Sequence, residues 1–104
     1  GNQLEYLWEK SPDTAILRHD SNQKWYAVLM KISWEKLDKG REGLVEVINV
    51  KHDQVVSLIQ EKGIYPAFHM NKRYWISVPL DDTFTDEKVL ELFEISWDLT
   101  RKKK

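Results

Sequence analysis

His69-Met70-Asn71-Lys72-Arg73-Tyr74-Trp75-Ile76-Ser77-Val78-Pro79-Leu80 reads as a short polar turn running into a strand. Tyr74, Ile76, Val78 and Leu80 alternate with Arg73, Trp75, Ser77 and Pro79, the period-two pattern of a strand with one face on a core. The first set is the expected core face, and the second points away from it. Pro79 has no amide to give a ladder, so it marks an edge or a strand end. The window from Gly63 to Leu80 has no acidic residue, and it gathers Lys72, Arg73 and His69 with Tyr65, Phe68, Tyr74 and Trp75.

The flanking sequence supplies more strands and three helices, one at each end and one inside. Thr14 to His19 and Lys24 to Ser33 are expected strands joined by the turn cluster Asp20-Ser21-Asn22-Gln23, hence a hairpin. The second of these is apolar on both sides, with Tyr26, Val28, Met30 and Ile32 on one and Trp25, Ala27 and Leu29 on the other, as in a central strand. Trp34 to Leu37 suits a single turn, 38–43 a loop, and the β-branched run Leu44 to Val50 another strand. Asp53 is an expected N-cap for a helix to Lys62 with Val55, Val56, Leu58 and Ile59 on its apolar face, ended by Gly63. Thr85 is the expected cap of a last helix running to Thr100, with Asp86 and Glu87 in its first turn, where the helix dipole favours acids. At the other end, Leu4, Leu7 and Trp8 have helical spacing, which predicts a short helix over Asn2 to Lys10 that stops before Pro12.

Hairpin-like strand connections with helices between and after them indicate an α+β domain with an antiparallel sheet, here one domain over residues 1–104. Gly1 stands where a Met would start a chain, and the expected first helix begins at once, so a piece of a longer protein is the expectation. The absence of cysteine rules out disulfides and thiolate chemistry and suits a cytoplasmic protein. No apolar run reaches the roughly 20 residues of a membrane span. The net charge is −1, but the basic end Arg101 to Lys104 hides an acidic body of 12 basic against 17 acidic residues, or −5. A nucleic-acid binder is usually basic overall, so such a function would need a local patch.

Three groups of residues could carry function. Arg73, Trp75 and Ser77 project from the non-core side of their strand, and Trp25 joins them from the second strand. Aromatic rings on an open sheet beside cations such as Arg18, Lys24 and Lys72 can stack bases and meet phosphates. The ordinary alternative is that a helix or loop covers Trp75 as core. In the turn, Asn71 can shape the backbone while Lys72 meets a phosphate; alternatively, His69 and Asn71 satisfy buried backbone groups. Glu87, Glu91, Glu94 and Asp98 share one stripe of the last helix, a docking face for a basic partner or a solvated surface. No phosphate loop, dinucleotide fingerprint or hydrolase elbow is present, and His19, His52 and His69 sit on different elements. No catalytic residue, metal or cofactor is therefore expected.

His69-Met70-Asn71-Lys72-Arg73-Tyr74-Trp75 also resembles the H-Φ-N-K-x-x-W core (Φ apolar) of the MmcQ/YjbR family of small bacterial proteins. The likeness continues through Val78-Pro79-Leu80-Asp81-Asp82 and Ile95-Ser96-Trp97-Asp98-Leu99. Upstream it includes Arg18-His19, Lys24-Trp25-Tyr26-Ala27 and Gly63-Ile64-Tyr65-Pro66-Ala67. It implies a CyaY-like α+β fold and DNA binding through a double-wing arrangement, with no catalytic residues. The expectation is a non-catalytic module that binds nucleic acid weakly through the basic aromatic face. The alternative is an accessory domain whose acidic helix face meets another protein or a missing upstream segment.

Overall fold

A computed structural model of the chain describes residues 3–6 and 14–101. Six strands form one antiparallel sheet in the order β1-β2-β3-β4-β6-β5. They are β1 (Gln3–Tyr6), β2 (Ala15–Arg18), β3 (Trp25–Ser33), β4 (Leu44–Lys51), β5 (Tyr65–Pro66) and β6 (Trp75–Pro79). Two helices, α1 (Val55–Leu58) and α2 (Asp86–Thr100), complete the α+β arrangement, with a 3-10 turn at Trp34–Lys36. No helix among the described residues is long and apolar enough to cross a membrane.

The expected N-terminal helix is corrected to a strand over Gln3–Tyr6, paired in register from Gln3 with Arg18 to Tyr6 with Ala15. A three-residue helical spacing is a local signal, whereas the edge of β2 offers a full ladder of backbone partners. Leu7 and Trp8 lie outside the described residues.

The helix expected from Asp53 to Lys62 is also shorter than its apolar residues suggest. It holds one turn, and its N-cap is Gln54, without a side-chain cap. The His52 ring accounts for this, because its Nδ1 accepts the Gln54 amide at 2.9 Å. Beyond Ile59 the chain tightens into i→i−3 turns, Gln60 to Ser57 and Glu61 to Leu58, until Gly63 turns away at φ +99°. A Cβ on Gly63 would lie 2.7 Å from Thr83 Cγ2, so the position needs glycine for both space and backbone.

α2 covers one face of the sheet. Tyr26, Ala27, Ile48, Val50, Ile76 and Val78 form its floor, with Leu92 from the helix. Thr85 caps α2 as expected, accepting the Lys88 amide at 3.1 Å. The second face is covered as well. There Val28, Met30, Val45 and Val47 pack with Trp34, beneath Tyr65, Phe68 and Met70. This corrects the reading of β6 as one-sided: Ser77 and Pro79 are as buried as Ile76 and Val78, while Tyr74 and Leu80 are 46% and 38% exposed.

Ser77 survives in that dry layer because its bonds are satisfied. Its hydroxyl donates to Asn49 Oδ1 at 2.5 Å and accepts the Phe68 amide at 2.9 Å. Asn49 Nδ2 donates to the Phe68 carbonyl at 2.9 Å. Asn49 and Ser77 are register partners, both fully buried, and together they hold both backbone groups of Phe68. A closed network of this kind removes the penalty of burying polar groups.

Candidate functional site

A bulge in β3 sets the site. Leu17 pairs with Ala27, but Arg18 pairs with Trp25, so Tyr26 is left over. The extra residue turns Tyr26 toward α2 beside Ala27, and Trp25 onto the second face. The expected assignment of these two residues is thereby exchanged. Ser96 of α2 fills the gap that the bulge opens. Its hydroxyl donates to the Tyr26 carbonyl at 2.6 Å and accepts the Lys51 amide at 2.8 Å.

Partners in an antiparallel ladder point to the same face. Arg18 and Trp25 are partners, and so are Lys51 and Trp75. Two cation–aromatic pairs, Arg18 with Trp25 across β2–β3 and Lys51 with Trp75 across β4–β6, therefore make a row in two parts on the face away from α2, with the bulge between them. All four are half-buried. With strands about 4.8 Å apart, the two tryptophans stand about 10 Å apart along the row. Lys51 Nζ also lies 5.8 Å from the Tyr74 ring centre.

The turns at the ends of these strands add charge. Lys24 is exposed just before Trp25, its amide held by Asn22 Oδ1 at 2.9 Å. Asn71 Oδ1 accepts the Arg73 amide at 2.9 Å, and its carbonyl accepts the amides of Tyr74 and Trp75. This local bonding is the shaping role expected of Asn71, and it leaves Lys72 and Arg73 exposed. His69 is exposed, has φ +63°, and its ring contacts that of Phe68 at a tilt of 40°, with ring centres 3.9 Å apart. The buried backbone groups that His69 and Asn71 could have served are served by Asn49 and Ser77.

Arg18, Trp25 and Trp75 are thus brought into one row, with Lys24, Lys72 and Arg73 on the turns that enter it. Sequence reading missed Lys51, because its place depends on register alone. Asp20 and Asp53 are the acids closest in sequence to this end of the sheet. The acidic stripe lies elsewhere: Glu87, Glu91, Glu94 and Asp98 are all exposed on α2, across the sheet from the row. Asp98 meets Arg101 at 3.3 Å. The acidic stripe and the row lie on opposite sides of the sheet, so an acidic body and a local cationic patch coexist.

Buried histidines brace the strand ends behind the row. His19 Nε2 lies 2.8 Å from Thr100 Oγ1, whose hydroxyl donates to the Ser96 carbonyl, so the imidazole donates. Its ring packs between Tyr26 and Trp97. Burial holds its pKa below the usual value; the Trp97 carbonyl opposes this and Arg101 adds to it. His52 is lowered too, chiefly by burial, with Asp53 opposing and Lys88 adding. Among the described residues no His, Cys, Asp or Glu cluster has the arrangement of a metal site.

The sequence model of the YjbR family matches residues 1–99. The chain belongs to the YjbR family. The uncharacterized protein YyaQ of Bacillus subtilis is 38% identical over 103 residues, covering 97% of this chain and 87% of YyaQ. The uncharacterized YbdF of Escherichia coli O157:H7 is 36% identical over 58 residues, 53% of this chain and 48% of YbdF. A crystal structure of a Pseudomonas syringae protein matches with a TM-score of 0.91 at 43% identity, over 96% of this chain and 87% of that one. The Deinococcus radiodurans protein DR2400, a DUF419 domain, matches with a TM-score of 0.71 at 25% identity, over 98% of this chain and 70% of that one. The YjbR assignment agrees with the family resemblance of the His69–Trp75 segment, and these structures share the α+β fold.

Proposed function

We propose that this YjbR protein is a non-catalytic module that binds single-stranded nucleic acid on the sheet face away from α2. The row Arg18–Trp25–Lys51–Trp75 carries the reading. Half-buried tryptophans are fixed in position yet keep surface for a base to stack on, and stacking tolerates any sequence because every base has a π face. Lys51 beside Trp75, with the exposed Lys24, Lys72 and Arg73 at the margins, can meet the backbone phosphates. A duplex keeps its bases stacked inside and cannot use the rings, so single strands are preferred. Binding is weak, because the acidic body repels a polyanion at long range.

The test is a fluorescence titration of labelled single-stranded DNA, single-stranded RNA and duplex DNA at low and moderate salt. Single strands should bind measurably at low salt and more tightly than duplex. Trp25→Ala and Trp75→Ala should each weaken binding by about 1–3 kcal/mol. Absence of binding at low salt, or equal affinity of both tryptophan variants and wild type, refutes the reading.

A further inference from the structure

The helix side of the sheet carries a second surface that the nucleic-acid reading does not use. An open groove of about 460 Å³ runs between the first half of α2 and β4. Ile48 is its floor, Leu80, Leu90 and Phe93 stand along its walls, and Asp81 and Asp86 line it as well. Leu90 is 54% exposed and Leu80 38%. On α2, Asp86, Leu90 and Glu94 follow one another at i, i+4 and i+8, so an exposed leucine stands between two exposed acids on one flank. Asp81 stays ionised: although burial raises its pKa, its bonds to Thr83 and the nearby Arg41 lower it on balance.

We infer that this groove docks an amphipathic helix of another protein, one with a stripe of bulky apolar residues flanked by lysine or arginine. Its apolar lining requires a dehydrated partner surface, and its acids favour cations beside that surface over a neutral or acidic segment. Length sets the footprint. The α2 residues lining the groove run from Asp86 to Phe93, about 11 Å of helix. A partner helix laid alongside spans the same distance between residues i and i+7, so its anchors fall at i, i+3 or i+4, and i+7.

The probe is a labelled 15-residue peptide of leucine, alanine and lysine, with leucines at i, i+4 and i+7 and lysines on the flanks. Two controls replace either the lysines by glutamate or the leucines by serine. Fluorescence anisotropy should show the first peptide binding about tenfold or more tighter than either control. Leu90→Ser and Asp86→Lys should each remove most of that binding, with circular dichroism unchanged, since both residues are exposed. Equal binding of the serine control means that charge alone, on the outer acidic stripe, is the attraction, and overturns the inference. Equal binding of the glutamate control overturns the required chemistry. A Leu90-dependent dimer in sedimentation shows a second copy to be the occupant and overturns it too.

Discussion

The Ser96 hydroxyl donates to the Tyr26 carbonyl across 2.6 Å, and so a helix side chain completes a break in the sheet. The bulge at Tyr26 separates backbone groups that an unbroken ladder would have joined, and the same hydroxyl accepts the Lys51 amide. Ser96 is fully buried, so no water can take its place readily. Ser96→Ala leaves a carbonyl and an amide unpaired in the interior, at a cost of about 1–3 kcal/mol of folding free energy. A urea titration should show a lower midpoint with an unchanged slope.

The Phe68 clip makes a second, local prediction. Ser77→Ala removes the acceptor of the Phe68 amide and leaves Asn49 Oδ1 without its hydroxyl donor. The Phe68 segment is a surface layer, so its release opens the second face without unfolding α2. Hydrogen exchange should quicken at the Phe68 amide by far more than at the amides of β3. Uniform acceleration through the whole sheet would contradict a local role.

How far the sequence reveals this arrangement differs from residue to residue. Ile76 and Val78 are legible because alternation is a local pattern, and the Thr85 cap is legible because capping involves neighbours in the chain. Ser77 is not, since nothing in β6 announces that Tyr65, Phe68 and Met70 will fold over its other side. The exchange of Trp25 and Tyr26 is equally hidden: a bulge shifts the period by one residue, and the Ser96 hydroxyl that bonds the Tyr26 carbonyl there comes from 70 residues away. Lys51 joins the candidate site only through pairing with Trp75. Gln3–Tyr6 is strand because β2 supplies an edge, a fact that helical spacing nearby cannot convey.

His19 and His52 make stability depend on pH. Both have folded pKa values below the ordinary value of about 6.5. The unfolded chain therefore takes up protons first as pH falls. Their contribution is complete above about pH 6.5 and is lost as pH drops toward the folded values. The urea midpoint should decline between about pH 7.5 and about pH 5.5. In His19→Gln, whose side-chain amide can still donate to Thr100, the decline should be shallower. An unchanged slope in that variant would assign the whole effect to His52 or to carboxylates.

Lys51 and Trp75 face the same way from paired positions, and if both meet nucleic acid they do so differently, which separates their variants. Lys51→Gln removes one cation, so the log–log salt slope for a single strand should become shallower by about 0.7. Trp75→Ala removes a stacking platform, so it should cost about 1–3 kcal/mol of binding with the slope unchanged. Trp75 is half-buried. Its loss should therefore cost less folding free energy than the roughly 3–5 kcal/mol of a fully buried aromatic. Titrations at several salt concentrations, beside urea melts of the same proteins, read all three quantities. A Trp75→Ala protein that loses stability on the full core scale while its affinity for oligonucleotide is unaltered would make Trp75 a packing residue, and the row would then have no stacking surface at β6.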